Sequence, residues 1–178
     1  ALFVSDVSRD GKKILCYGQQ KGTGQGELYY VDLIERKKYQ LTKNRLQEWG
    51  GVFSSDEKWL AYTSEKDMEG SFAIYLNRFP EMNQEIRISA GGGEEPKWLP
   101  DGSAVYYRNG SEWMKVILKL DNEPEIGEPE LFFEGPYVNV PGPSHDIFPD
   151  GRILLLKGEE WVPPKEIDVI INAVDVDP

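Results

Sequence analysis

Apolar positions along this chain come in short runs. Stretches rich in aliphatic, β-branched and aromatic side chains, such as Ile14–Tyr17, Leu28–Leu33, Trp59–Tyr62, Phe72–Leu76, Val105–Tyr107 and Trp113–Leu118, are bounded by Gly, Pro, Asp, Asn and Ser. Runs of that length with those boundaries predict β-strands. No segment carries a long 3.6-residue apolar period with caps, so no helices are expected.

The pattern repeats. Four segments align without gaps, and Asp10, Asp56, Asp101 and Asp150 hold the same place in each, at spacings of 46, 45 and 49 residues. Asp10-Gly11, Asp101-Gly102 and Asp150-Gly151 predict tight turns, because Gly accepts positive φ and Asp bonds its own backbone nearby. In the second unit Glu57 stands where the others have Gly, so that turn must use another geometry or accept strain. Apolar stretches before and after each Asp read as a hairpin. A third strand follows in every unit and a fourth in three: Lys38–Thr42, Glu85–Ser89 and Glu130–Phe133.

Four antiparallel strands per repeat of roughly 45 residues make one propeller blade. The expected fold is therefore all-β: a β-propeller of four antiparallel four-stranded blades. The blades run approximately over 1–46, 47–92, 93–140 and 141–178, in a single domain. The second strands are almost continuously apolar, as strands covered on both faces by neighbouring blades should be. The last blade is expected to be incomplete, because Glu166–Val174 leaves no room for a fourth strand. Three arrangements would cover the open edge. The four blades close by themselves, the chain is part of a longer propeller, or two chains join as half-rings into an eight-bladed homodimer.

Segments such as Val52-Phe53-Ser54-Ser55-Asp56-Glu57-Lys58-Trp59-Leu60-Ala61-Tyr62 and Glu95-Pro96-Lys97-Trp98-Leu99-Pro100-Asp101-Gly102 resemble the TolB-type, WD40-like propeller repeat. Departures from its pattern are Arg9 and Ser55 in place of Pro, Leu99 and Phe148 in place of Ser, and Glu57 in place of Gly. Across essentially the whole chain the order of segments is similar to the C-terminal propeller region attached to bacterial serine/threonine protein kinases and regulators. The segments that carry this likeness are Phe72–Pro80, Gly91–Trp98, Leu131–Tyr137 and Ile167–Asn172. The resemblance implies a bacterial protein, cytoplasmic or periplasmic. No kinase motif is present in these residues.

Composition narrows the partners. The 178 residues hold 31 acidic and 20 basic side chains, a net charge of −11. Residues 1–47 have nine Lys/Arg against five Asp/Glu, a net +4, and the remainder is −15. That balance argues against nucleic acid, whose phosphates need a basic surface. The asymmetry fits a head-to-tail contact between copies. No apolar run approaches the roughly 20 residues of a membrane span, and the first residues lack the form of a signal peptide. A soluble protein is expected.

Catalytic chemistry has few carriers here. The single Cys, Cys16, sits mid-strand among apolar residues and reads as an inert buried hydrophobe. No Gly-x-Ser-x-Gly elbow accompanies the single His, His145. Gly22–Gly26 lies between strands and reads as a hairpin tip rather than a phosphate loop, and Gly91–Gly93 reads as a connection between blades. The acidic groups Asp121, Glu123, Glu125, Glu128 and Glu166, Asp168, Asp175, Asp177 lack the spaced ligand pattern of a calcium loop, so no metal and no cofactor are expected.

The remaining candidates are His145 and Asp146, which open the first strand of the fourth repeat, with Trp49 and Glu94-Glu95 at comparable strand starts. By fold analogy these five form a mixed polar and aromatic mouth of the central channel. The bland alternative for His145 is a local hydrogen bond at the strand start. The resulting expectation is a non-catalytic scaffold or sensor module that binds a protein, peptide or small ligand at the mouth or on the loops. The alternatives are a propeller hydrolase or lyase using channel carboxylates, and a structural fragment of a larger propeller or kinase-linked protein.

Overall fold

Every regular element in the computed structural model is a strand, and no helix occurs among the residues it describes, which are 1–19, 26–44, 46–68, 70–121, 123–139, 144–157 and 169–170. The strands form four antiparallel sheets in chain order. The first sheet holds β1 (Leu2–Val7), β2 (Lys13–Gln19), β3 (Gly26–Asp32) and β4 (Lys37–Gln40) as nearest neighbours in sequence. The second repeats this meander with β5 (Glu48–Phe53), β6 (Trp59–Met68), β7 (Ser71–Arg78) and β8 (Ile86–Arg87). The third holds β9 (Glu94–Trp98), β10 (Ala104–Asn109), β11 (Glu112–Lys119), β12 (Glu125–Ile126) and β13 (Glu130–Glu134). The fourth holds β14 (His145–Ile147), β15 (Ile153–Leu155) and β16 (Val169–Ile170).

The repeat aspartates build the first hairpin of each sheet. Asp10 Oδ1 accepts from the Ser8 hydroxyl and the Lys12 N–H, while Gly11, at φ +70°, donates its N–H to Ser8 O. The second sheet copies this. The Ser54 hydroxyl and the Lys58 N–H donate to Asp56 Oδ1, and the Glu57 N–H reaches Ser54 O. Asp101 and Asp150 accept the Ser103 and Arg152 N–H groups in the same way. Of the two outcomes expected at Glu57, the turn keeps the common geometry and accepts the strain, with φ at 56°. A non-glycine residue there costs about 1–2 kcal/mol. Its carboxylate offsets part of this by crossing to the first sheet, where it accepts from the Arg9 N–H at 3.0 Å and Lys13 Nζ at 3.3 Å.

The third sheet departs from four strands. Its outer position is shared by two short strands: β12 pairs with Leu118 and Lys119 of β11, and β13 pairs with Glu112–Lys115. Pro124, Gly127 and Pro129 punctuate this stretch. Proline lacks the ladder N–H and glycine weakens a strand, so one continuous fourth strand cannot form.

Apolar layers join successive sheets. Leu15, Leu28, Phe53, Leu60, Tyr62, Tyr75 and Phe79 pack between the first and second. Trp59, Ile74, Leu76, Trp98, Val105, Tyr107 and Val116 pack between the second and third. Tyr106, Trp113, Ile153 and Leu155 pack between the third and fourth. The second sheet is thus covered on both faces, with Trp59, Leu60, Ala61 and Tyr62 fully buried in succession.

Candidate functional site

Each of the first three sheets bears a bulge in its first strand. The pairing shifts between Val4 and Asp6, between Trp49 and Val52, and between Glu94 and Lys97. Gly50 and Glu95, both six residues before the repeat Asp, take the left-handed conformation at φ 63° and 54°. Glycine does so freely; glutamate does so at a cost, and strain of that kind persists where the surroundings hold it. Glu95 is held. It is buried, and its Oε2 accepts from the Ser144 N–H at 3.2 Å, from the Ser144 hydroxyl, and from His145 Nδ1 at 3.0 Å.

The Glu95 to His145 contact fixes the protonation pattern. Burial raises the Glu95 carboxyl, but the hydrogen bonds from His145 and Ser144 outweigh it and hold it below its ordinary value. Burial holds the His145 imidazole below its ordinary 6.5 despite the neighbouring carboxylate. An ionised Glu95 beside a neutral ring requires the Nδ1–H tautomer. His145 Nε2 then has no partner among the described residues, and neither does Ser5 Oγ. The ring is further wedged edge-on against Trp113 at 4.4 Å and beside Tyr106.

Next to this cluster, one repeat position gathers the charges. Asp6, Val52, Lys97 and Asp146 all lie four residues before the repeat Asp of their units. Lys97 Nζ pairs with Asp146 Oδ1 at 3.2 Å, and both charges act on Asp6. Asp6 accepts the Phe53 and Val7 N–H groups at 2.8 Å each, yet burial lifts its carboxyl above the ordinary value. Asp6, Phe53, Lys97 and Asp146 thus bring together one residue from each of the four sheets. Beside them a row of rings runs from Phe3 to Tyr17, Trp49 and Phe72, with successive centroids 5.4, 6.4 and 6.0 Å apart. Ser5, Tyr17, Trp49, Glu95, Lys97 and His145 enclose a void of about 20 Å³. That is room for one water-sized group.

The five residues singled out from sequence are therefore divided. His145, Glu95 and Trp49 line this void, and Asp146 is exposed at its rim through Lys97. His145 bonds a neighbouring sheet rather than its own strand start, because the Glu95 bulge delivers a carboxylate fifty residues distant in sequence. Glu94 lies elsewhere, in a second cavity on the rim. Asp6, Lys97, Ser5 and Ser144 were missed. Asp6 and Lys97 share the repeat offset of Asp146, and that signal could have found them. Cys16 is buried and free, with its thiol pushed up by burial. Glu125 pairs with Lys119 at 2.9 Å, and no His, Cys, Asp or Glu cluster with metal-holding geometry occurs among the described residues. Residues 22–25 of the glycine-rich stretch, and Glu166, Asp168, Asp175 and Asp177, lie outside the described residues.

No protein-family model matches the chain, and no curated protein matches it. Solved structures do. TolB from Acinetobacter baumannii matches with a TM-score of 0.66 and 20% identity over 89% of this chain and 38% of its own. The chain has a propeller-type fold. Its structural neighbours are TolB-like β-propeller proteins. The propeller domain of the Trilobed protease from Pyrococcus furiosus, described as having an open velcro topology, matches at a TM-score of 0.53 and 13% identity, over 98% of this chain and 57% of its own. Oligogalacturonate lyase of Vibrio parahaemolyticus matches at 0.60 and 12%, over 89% of this chain and 47% of its own. The chain thus spans between 38% and 57% of the length of these three neighbours. No helix among the described residues is long and apolar enough to cross a membrane.

Proposed function

We propose that this chain is a non-catalytic propeller module that binds a protein or peptide at the channel mouth. The observation that carries the reading is the ring row Phe3, Tyr17, Trp49 and Phe72 beside the Lys97–Asp146 pair. Phe3 is exposed and Tyr17, Trp49 and Phe72 are half-buried, and accessible aromatics flanked by charge are common anchors of a protein interface. The acid–base groups at the mouth support binding over turnover. Glu95 Oε2 is engaged by Ser144 and His145, each Asp6 oxygen accepts a backbone N–H, and the void beside Glu95 and His145 has a volume of only about 20 Å³.

The module reading extends to a longer assembly of roughly 45-residue blades, within which these four sheets, over about 1–46, 47–92, 93–140 and 141–178, form a part. The chain's share of its neighbours' length supports this. Further blades come from the same polypeptide, as in a kinase-attached propeller, or from a second copy in a half-ring dimer. Native mass of the isolated chain separates the two, and a monomer eliminates the dimer.

The binding test uses display-selected peptides. Peptides that bind the chain and lose at least tenfold affinity in Trp49→Ala and in Lys97→Glu support the reading. Peptides that bind both variants unchanged overturn it. So does hydrolysis of a peptide, or cleavage of oligogalacturonate, that disappears in Glu95→Gln, since that outcome establishes the enzyme alternative.

A further inference from the structure

A larger cavity, of about 240 Å³, opens away from the mouth. It lies between Gly70 and the start of β7 (Ser71), the Gly92-Gly93 connection, Glu94 of β9, the end of β10 (Arg108, Asn109) and Asn139. Its volume is well above the roughly 10–15 Å³ needed to admit one water. A Cβ at Gly92 would lie 3.0 Å from Asn109 Oδ1, so at that position the wall is bare backbone. At Gly93 a Cβ would instead lie 2.8 Å from Ile74 and 2.9 Å from Tyr107, in the core behind the cavity.

The lining groups are polar and of both kinds. Glu94 and Arg108 are directly paired across β9 and β10, yet they form no ion pair with each other. The buried Arg108 guanidinium spends Nε, Nη1 and Nη2 on the carbonyl oxygens of Gly110, Val138 and Tyr137, at 2.8, 3.0 and 2.9 Å. It has no carboxylate partner among the described residues. Half-buried Glu94 has neither a hydrogen bond nor an ion pair among them, and burial raises its carboxyl. Asn109, Asn139 and Ser71 add amide and hydroxyl groups. One carboxylate and one guanidinium cancel, so a charged ligand gains little net attraction. A neutral ligand with many hydroxyls, able to donate to Glu94 and exchange hydrogen bonds with amides, satisfies the groups left open.

We propose that this rim cavity binds a neutral polyhydroxylated molecule of monosaccharide size, with Glu94 as the principal acceptor. The proposal does not depend on what the channel mouth binds. D-Glucose, D-galactose and D-mannose are titrated into the labelled chain, with sodium galacturonate in parallel, and amide NMR shifts are followed. Saturable shifts at Gly92, Gly93 and the Asn109 and Asn139 side-chain amides are expected for at least one neutral hexose. The affinity should fall at least tenfold in Glu94→Ala and in Gly92→Ala. Gly92→Ala crowds the cavity without touching the carboxylate, and retained shifts elsewhere in each spectrum confirm folding. Ser71→Ala, at the hairpin edge, gives a milder variant if either fails to fold. The proposal is overturned by non-saturating shifts with all three hexoses, by unchanged affinity in folded variants, or by tighter binding of galacturonate than of every neutral hexose.

Discussion

The first and second sheets carry the same repeat in different settings. In the second sheet, flanked on both sides, Trp59 through Tyr62 are wholly buried. In the first, the face turned away from the second sheet is open, and Leu2, Val4 and Val7 are 46%, 60% and 49% exposed. A blade sequence therefore specifies two apolar faces, and burial of each depends on a neighbour. The fourth sheet stands between the two: it packs Ile153 and Leu155 on the third sheet and is tied there by the Glu95–Ser144–His145 cluster.

The widest gap between the two sheets should appear on truncation. Leu60→Ala is expected to cost about 2–5 kcal/mol, as for other buried leucines. Val4→Ala should lie within about 0.5 kcal/mol of wild type, as surface changes do. Urea denaturation measures both, and a Val4→Ala cost near that of Leu60→Ala would show that the open face is covered in solution.

Next in size is the tie to the fourth sheet. Glu95→Ala leaves the Ser144 and His145 donors without their acceptor and should cost about 1–3 kcal/mol. Hydrogen exchange should quicken first in β14 and β15. Uniform loss of protection across all four sheets would contradict a local tie.

The same cluster sets an acid dependence. His145 is held below 6.5 in the folded chain, so its contribution is full above that value and is lost as pH falls through the lowered one. Glu95, also held down, adds a loss at lower pH, below the ordinary carboxyl range. Asp6 and Glu48 run the other way: burial raises both, and their contributions are lost as pH rises through the raised values. The His145 part of the profile should therefore be a fall in Tm on acidification that begins at the ordinary imidazole value of 6.5, opposed by the Asp6 and Glu48 contributions. His145→Gln should flatten that part of the profile, and an unchanged slope would assign it to another group.

The smallest effect is at the second turn. Glu57→Gly relieves the φ strain and loses the contacts to Arg9 and Lys13, so it should stay within about 1 kcal/mol of wild type. Glu57→Ala keeps the strain and loses the contacts, and should be less stable than Glu57→Gly by about 1 kcal/mol. The reverse order would mean that the turn opens in solution.

Much of this was readable along the chain. The turn aspartates bond their own backbone within two residues, so Asp10, Asp56, Asp101 and Asp150 announce their hairpins locally. The strand runs rest on the same short-range chemistry. The division of Glu94 from Glu95 does not. Neighbouring strand residues face opposite ways, and a bulge re-aims the side chains after it. One carboxylate thus enters the His145 cluster while its neighbour lines the rim cavity. The split outer strand of the third sheet lies between these extremes: Pro124, Gly127 and Pro129 are visible in the sequence, but their joint effect depends on pairing with β11.

By itself, then, the sequence determined the strands, their hairpins and the repeat, because these rest on contacts within a few residues and on alternating apolar faces. Only the tertiary structure decided which polar groups meet. The meeting of Glu95 with His145, of Lys97 with Asp146 and of Asp6 with the Phe53 N–H joins positions about fifty residues apart. Their distances are set by sheet-to-sheet packing and bulge register, which no local pattern encodes.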